Sequence, residues 1–204
     1  MIEMVNELKK ETEMAVDVEH SNKSYEGLTC LIQLSSRSKD YIVDVFPIWE
    51  HVGLLKQVME DPQIVKVMHG ADMDTKWLQR DFNIHIHNLF DTYRAARTLG
   101  KQKLSYGFLL NNYCNVTTDK TYQTADWRQR PLSSEMLHYA RLDTHFLLEI
   151  FDRMRNDLHQ KALSMSLNPQ DVFIDVYSIS HEVTRTEVEL FEYRNKECLI
   201  NLSK

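Results

Sequence analysis

The spacing of hydrophobic and polar positions changes along the chain, and each change predicts a different element. Residues 2 to about 12 have helical period, after which MAVDVEH (14–20), TCLIQLS (29–35) and DYIVDVF (40–46) are β-branched or apolar runs bounded by polar turn residues, the pattern of three strands. PIWEHVGLLKQVMED (47–61) returns to helical period with Ile48, Val52, Leu55 and Met59 on one face, and QIVKVMHG (63–70) returns to strand. ADMDTKWLQRDF (71–82) predicts a further helix and NIHIHNLFD (83–91) a short strand. From about residue 91 nearly everything reads as helical, including one long periodic segment from Ser133 to about Leu158 and a last, β-branched-rich segment over about 171–198. Strands first, then alternation, then helices predict a single α/β layer fold with a central mixed sheet.

Within the first strand, AVDVEH sets two carboxylates at alternate positions. Strand side chains alternate between faces, so Asp17 and Glu19 share a face, about 7 Å apart along the chain, with Val16 and Val18 on the other. Two such charges brought to about 4 Å at an effective dielectric of 20 repel by ~4 kcal/mol, so water, a cation partner or bound divalent ions must offset them. Taken alone, the stretch reads as a solvent-facing sheet edge. Two helices change that reading. In 71–82 the apolar stripe through Trp77, Leu78 and Phe82 includes Asp74, while Asp72 phases with Thr75, Lys76 and Gln79 on the solvent side, in position to cap. In the later helix the stripe Met136, Tyr139, Ala140, Asp143, Phe146, Leu147, Ile150 carries a carboxylate at its centre, with Tyr139 one turn before it. A core-facing aspartate is costly unless paired or metal-bound. Four inward acids, Asp17, Glu19, Asp74 and Asp143, with no matching inward Lys or Arg fit a site for two hard divalent cations, the arrangement that clamps a phosphoryl displacement.

Composition narrows the classes. At 204 residues, 43% hydrophobic and 26% charged, the chain has the make-up of one globular domain, without repeats or low-complexity tracts. No apolar run reaches the ~20 residues of a membrane span, and MIEMVNELKKETE lacks the features of a signal peptide, so the expectation is an intracellular protein. Cys30, Cys114 and Cys198 are widely spaced, which predicts neither a disulfide framework nor a structural zinc site. The net charge of −6 makes the whole chain no footprint for nucleic acid. Between Arg94 and Arg130, however, seven basic residues face two acids, Asp119 and Asp126. That stretch is either a solvated helical face or a phosphate-contacting surface; in the second case Lys120, Arg128 and Arg130 meet nucleic-acid phosphates, and Tyr122 and Trp127 stack on bases. His85 and His87 have strand spacing but no acid or Cys partner for a metal, His69 reads as structural, and Gly70 reads as a close turn between strand and helix.

The ordered motifs resemble the DEDD superfamily of 3′-to-5′ exonucleases: D-x-E in AVDVEH, a second motif in HGADMDTKWLQRDF and Y-x-x-x-D in YARLDTHFLL. NLFDTYRAARTLG, LLNNYC and DKTYQTADWRQRPL resemble ribonuclease D, nearest to the ribonuclease D-like catalytic subunits of the eukaryotic nuclear RNA exosome, over roughly residues 13–155. HYARLD also satisfies the histidine subgroup's H-x-x-x-x-D, but i, i+4 positions differ by about 40° and i, i+5 by about 140°, so Tyr139 rather than His138 shares the face of Asp143, as in the tyrosine subgroup. The resemblance implies a ribonuclease H-like (DnaQ-like exonuclease) α/β fold, with an exonuclease domain over 1–158 and a helical extension over 159–204 in which no HRDC pattern is read. It implies release of nucleoside 5′-monophosphates from the 3′ ends of single-stranded RNA, with two divalent cations, Mg²⁺ or Mn²⁺. Asp17 would bridge both ions, Glu19 and Asp143 complete the first, Asp74 hold the second largely through water, and Tyr139 hydrogen-bond the attacking water. It implies further a nuclear location, the exosome core as partner of the full-length protein, and no membrane. Two alternatives stand beside it: a catalytically silent RNA-binding module on the same fold, and a DNA 3′-to-5′ exonuclease.

Overall fold

The structure, a computed structural model, describes residues 1–21, 23, 27–180 and 182. Five strands form one mixed sheet: β1 (Glu13–Ser21), β2 (Leu28–Ser35), β3 (Asp40–Asp44), β4 (Val65–Met68) and β5 (Leu89–Asp91), in the order β3-β2-β1-β4-β5. β1, β2 and β3 pair antiparallel, whereas β4 and β5 run parallel to β1. The alternation in β1 sends Met14, Val16 and Val18 to one face and Ala15 to the other. The first face is covered by α1 (Ile2–Leu8), a 3₁₀ segment (Phe46–Leu55), α2 (Lys56–Met59) and α3 (Asp72–Phe82); the second joins Val67 and Phe90 to α4 (Thr92–Leu99), α5 (Tyr106–Cys114) and α7 (Leu147–Ser164). α6 (Ser134–His145) lies over β1, β2 and β3. Each fully buried Val, Leu or Ile on these faces contributes roughly 1.5–3 kcal/mol.

Several elements differ from expectation for identifiable reasons. Residues 47–61 are a 3₁₀ segment and one α-turn rather than one helix: Pro47 opens the segment and Ile48 leaves helical geometry at φ −130, ψ 23. Of NIHIHNLFD only Leu89–Asp91 is strand; Ile84 and Ile86 still alternate inward because extended chain docks on the core, with the His87 N–H donating to Met59 O at 3.0 Å. The long helix from Ser133 breaks at Phe146, and α7 then runs on to Ser164. Thr75 and Gln79 are buried beside Asp74, so the inward arc of α3 is wider than the stripe predicted, while Asp72 is exposed and makes no cap. Residues 169–180 are helical and pack Val172 and Val176 on the α4–α7 layer, with the Tyr177 ring 5.5 Å from that of Phe90. The rest of the expected 171–198 helix lies outside the described residues apart from 182.

One feature of the topology places the site. The last β1–β4 pair is Ala15 with Val67, so β1 carries Asp17 and Glu19 past the end of its parallel neighbour. Open α/β sheets leave their crevice at the carboxyl ends of parallel strands, where the following helices begin. Here α3 starts just after β4 and α4 immediately after β5, and both open onto that end.

Candidate active site

β1 and α6 deliver three carboxylates to one place. One oxygen each from Asp17, Glu19 and Asp143 lies within 4.8 Å of the others, and no Lys or Arg makes an ion pair with any of them among the described residues. Asp74 is buried in the first turn of α3, outside this trio but close enough to raise the protonation range of Glu19 and to have its own raised by Asp17. All four acids are held well above the usual carboxylate range. Burial is the largest cause for each; repulsion adds to it, from Asp17 on Asp143, and from Asp17, Asp143 and Asp74 on Glu19. Four oxygen donors that resist ionising together, without a cation to relieve them, have the chemistry of a divalent cation site. The donor set therefore fits the implied metals.

The trio opens on a cleft of about 330 Å³ whose lining includes His69, Tyr106, Lys120 and Tyr139, a volume within the range of small-ligand sites. Tyr139 is partly buried on the cleft side of α6, and burial with the fields of Asp143, Glu19 and Asp17 pushes its phenol up. His138 is exposed and does not line the cleft. His85 and His87 join no metal-binding group among the described residues.

The basic stretch divides. Lys120 lines the cleft. Arg128 is exposed with both arms on Asp126, at 2.9 and 3.0 Å. Arg130 is spent on the protein: its guanidinium grips Asp44 at 2.6 and 2.8 Å, donates to the carbonyls of Trp127 and Cys30, and covers the Phe46 ring. Trp127 corrects the stacking expectation most directly. At 1% exposure it packs with Cys30, Leu31, Met136 and Ala140, and its ring lies 6.0 Å from that of Tyr139. It has no face to offer a base; it wedges Tyr139 from behind, with Tyr122 on another side at the same distance.

Three contributors escaped sequence reasoning. Asp91 ends β5, fully buried, and accepts from the N–H groups of Gly70 (2.8 Å), Ala71 (3.2 Å) and Tyr93 (2.8 Å) and from Arg94. It thereby ties the turn before α3, where Gly70 adopts φ +65, to the start of α4 and sets the height of Asp74. Its signal was an Asp directly ahead of a helix, the mark of an N-cap. A bulge interrupts β2 opposite β1: Glu19 faces Leu31 and His20 faces Thr29, which leaves Cys30 as the extra residue, buried against Trp127. Beyond it the His20 ring stacks on Trp77 of α3 with centroids 4.0 Å apart.

A family comparison matches residues 1–159 to the 3′-5′ exonuclease domain. The chain belongs to that family. Among curated proteins, this exonuclease chain is 50% identical over 156 residues to the exosome complex exonuclease RRP6 of Saccharomyces cerevisiae, covering 76% of the chain and 21% of the yeast protein. Among solved structures it superposes on the catalytic core of RRP6 from Trypanosoma brucei with a TM-score of 0.81 and 42% identity, covering 89% of the chain and 48% of that core. It superposes also on Escherichia coli RNase D, an exoribonuclease involved in structured RNA processing, with a TM-score of 0.70 and 25% identity over 76% of the chain and 42% of RNase D. The exonuclease chain spans under a third of the length of the curated relatives it matches. Its mixed α/β sheet flanked by helices is the expected fold class, and none of its described helices is long and apolar enough to cross a membrane.

Proposed function

We propose that this chain is a metal-dependent 3′-to-5′ exoribonuclease that releases nucleoside 5′-monophosphates from single-stranded RNA, working with the exosome in the nucleus. The observation that carries the reading is the carboxylate trio from β1 and α6, oxygens within 4.8 Å and without a cationic partner among the described residues, on a chain 50% identical over 156 residues to an exosome exonuclease. Asp17, Glu19 and Asp143 would hold one divalent cation, Mg²⁺ or Mn²⁺; Asp74, outside the trio, would hold a second largely through water. When bound, such ions activate a water for attack and offset charge on the departing 3′ oxygen. The protein's own groups do the rest. Tyr139, a phenol whose ordinary range of about 10 already keeps its proton near neutral pH, orients the attacking water by hydrogen bond rather than acting as a base. Lys120 brings positive charge to the cleft and meets a phosphate of the entering strand. Trp127 and Asp91 hold Tyr139 and Asp74 in place from behind.

The test is degradation of a 5′-labelled single-stranded RNA with Mg²⁺, Mn²⁺ or EDTA, beside the Asp143→Asn variant, a 3′-phosphate-blocked RNA and the matched DNA. A metal-dependent ladder shortening from the free 3′ end, absent in the variant and weaker on DNA, is the expected result. Binding without shortening under every metal condition would favour the silent RNA-binding module, and equal or faster loss of DNA would favour the DNA exonuclease.

A further inference from the structure

His69 follows β4 at the floor of the cleft, and its hydrogen bonding determines which of its ring nitrogens carries the proton. Nδ1 lies 2.9 Å from Thr92 Oγ1, and that same oxygen lies 3.0 Å from Met68 O. A carbonyl oxygen has no proton to give, so the Thr92 hydroxyl must supply the hydrogen of the second bond. The first bond then runs the other way, with Nδ1–H donating to Thr92. Nε2 is left with a lone pair, and no hydrogen bond takes it among the described residues, while the ring lines the cleft. The ring is held between those of Tyr93 and Tyr106, with centroids 6.1 and 5.6 Å away. Tyr106 has also spent its proton, donating to Leu142 O at 2.8 Å. This corner of the cleft therefore offers lone pairs and no proton.

His69 also has a defined neighbour. Ala15 pairs with Val67, and Asp17 and His69 each lie two residues further along adjacent parallel chains, so the imidazole stands next to the carboxylate trio at matched height. A strand whose last phosphodiester reaches the trio must lay its sugar-phosphate backbone beside His69. Phosphate oxygens only accept hydrogen bonds. The donors of an RNA backbone are its ribose hydroxyls, the 2′-hydroxyl of each sugar and the 3′-hydroxyl of the last, and only the 2′-hydroxyl is missing from DNA. An acceptor-only corner repels phosphate and suits that hydroxyl. Ser105, Thr118 and Gln123 in the same cleft both donate and accept, and so lack this selectivity.

We propose that His69 is a specificity-determining residue: its Nε2 accepts a hydrogen bond from a ribose 2′-hydroxyl near the 3′ end, and Thr92 fixes the tautomer that makes this possible. The inference rests on the exoribonuclease reading for its substrate and extends it to how RNA is told from DNA.

The test uses RNA oligomers in which one of the last three sugars carries 2′-fluorine in place of 2′-hydroxyl, which removes the donor while keeping a ribose-like pucker. Two quantities are measured for the 204-residue chain: kcat/KM for 3′-end shortening, and, in the Asp143→Asn background, Kd by fluorescence anisotropy. At one sugar the hydroxyl form is preferred by about 10-fold, the scale of one hydrogen bond. His69→Phe keeps a ring between the two tyrosines but has no acceptor, and brings the preference within about 2-fold; His69→Gln, which retains a carbonyl acceptor, keeps part of it, and Thr92→Val weakens it. Equal losses on the hydroxyl and fluoro substrates in His69→Phe would overturn the proposal and assign the residue to the fold or the metal geometry. A wild type indifferent to fluorine at all three sugars would overturn it as well. If the wild type binds RNA but never shortens it, the exonuclease reading fails while the Kd ratio still decides on His69; if it does not bind RNA, both fail.

Discussion

Two groups of carboxylates flank helix α6, and their surroundings act on them in opposite ways. On the cleft side, Asp143 of α6 meets Asp17 and Glu19 with no Lys or Arg among the described residues paired to them; burial holds all three above the usual range, and repulsion adds to it for Glu19 and Asp143. Behind the helix, Asp40 is also partly buried, which pushes it up, yet Ser35, Arg141 and His145 more than offset burial and hold it below that range. The hollow on that side, about 490 Å³, is larger than the cleft, but its cations are already matched, Arg37 with Glu13 and Asp152, Lys39 with Glu7, and Arg141 with Asp40, which His145 Nδ1 also meets at 2.8 Å. The same contrast recurs two residues apart in α3, where Asp72 is bonded to Arg94 at 2.8 Å and lowered while Asp74 has no such partner among the described residues and is raised. Residue type does not separate the groups. The presence or withholding of an arginine does, and withholding it leaves a charge deficit that a divalent ion can fill.

Exchanging one carboxylate on each side breaks the comparison with the largest effect. Asp143→Asn should lower turnover by about 10³-fold, several kcal/mol of lost transition-state stabilisation, while leaving the metal-free fold as stable as wild type or slightly more so. Asp40→Asn should do the reverse, costing about 1–2 kcal/mol of stability because Ser35, Arg141 and His145 lose an ionised acceptor, with turnover reduced less than 10-fold. Steady-state shortening rates and urea denaturation in EDTA read both; a destabilised Asp143→Asn, or an Asp40→Asn that is stable but dead, would mean that the roles of the two sides are misassigned.

Tyr139 and His138 test the same division on adjacent residues of one helix. The phenol lines the cleft and the imidazole is exposed. Tyr139→Phe is expected to reduce kcat about 10²-fold with little change in KM, whereas His138→Ala should stay within about 3-fold of wild type. The opposite ranking would place the chain in the histidine subgroup.

Periodicity made the acids legible. A strand period carried Asp17 and Glu19 to one face, and helical periods put Asp74 and Asp143 on core stripes, so four positions distant in the chain could be read as one inward-facing set before any contact was known. Gly70 was equally plain as a turn. What escaped was whatever depends on a distant partner. Trp127 sits in an aperiodic loop between polar residues, and nothing local shows that Leu31 and Met136 close over it. Arg130 looks like its basic neighbours until Asp44, far back in the chain, claims it. The tautomer of His69 is decided by Thr92, on another element. The Cys30 bulge follows from strand register, which neither strand's own pattern contains.

The two sides of α6 should also respond to pH with opposite slopes. Asp143 has a folded value raised above its unfolded one, so its contribution to stability is full at low pH and declines as pH climbs from near 4 through the raised value. Asp40 has a depressed folded value; its contribution is present above the unfolded value and is lost as pH falls through the folded one. In EDTA, wild type should therefore lose stability relative to Asp143→Asn on going from pH 5 to pH 8, by at most ~1.4 kcal/mol per pH unit for one proton, and Mn²⁺ should reverse the trend. Differences between curves isolate these groups from His69, whose lowered value gives the opposite slope. A flat difference in EDTA would mean that neither burial nor repulsion by Asp17 raises Asp143.

The smallest effect separates the cations that face solvent. Lys120 lines the cleft without an ion-pair partner among the described residues, whereas Arg128 shares Asp126 with Lys23, so the cost of leaving Asp126 offsets what Arg128 gains from a phosphate. Each phosphate neutralised on a single strand contributes about −0.7 to the slope of log K against log salt. Lys120→Ala should flatten the slope for RNA binding by about that amount, and Arg128→Ala by less than half of it, with the double variant close to Lys120→Ala alone. Anisotropy titrations in the Asp143→Asn background at several salt concentrations measure this. Equal contributions from the two residues would show that the Asp126 pair opens freely on binding, and that pairing in the free protein does not predict which cations meet RNA.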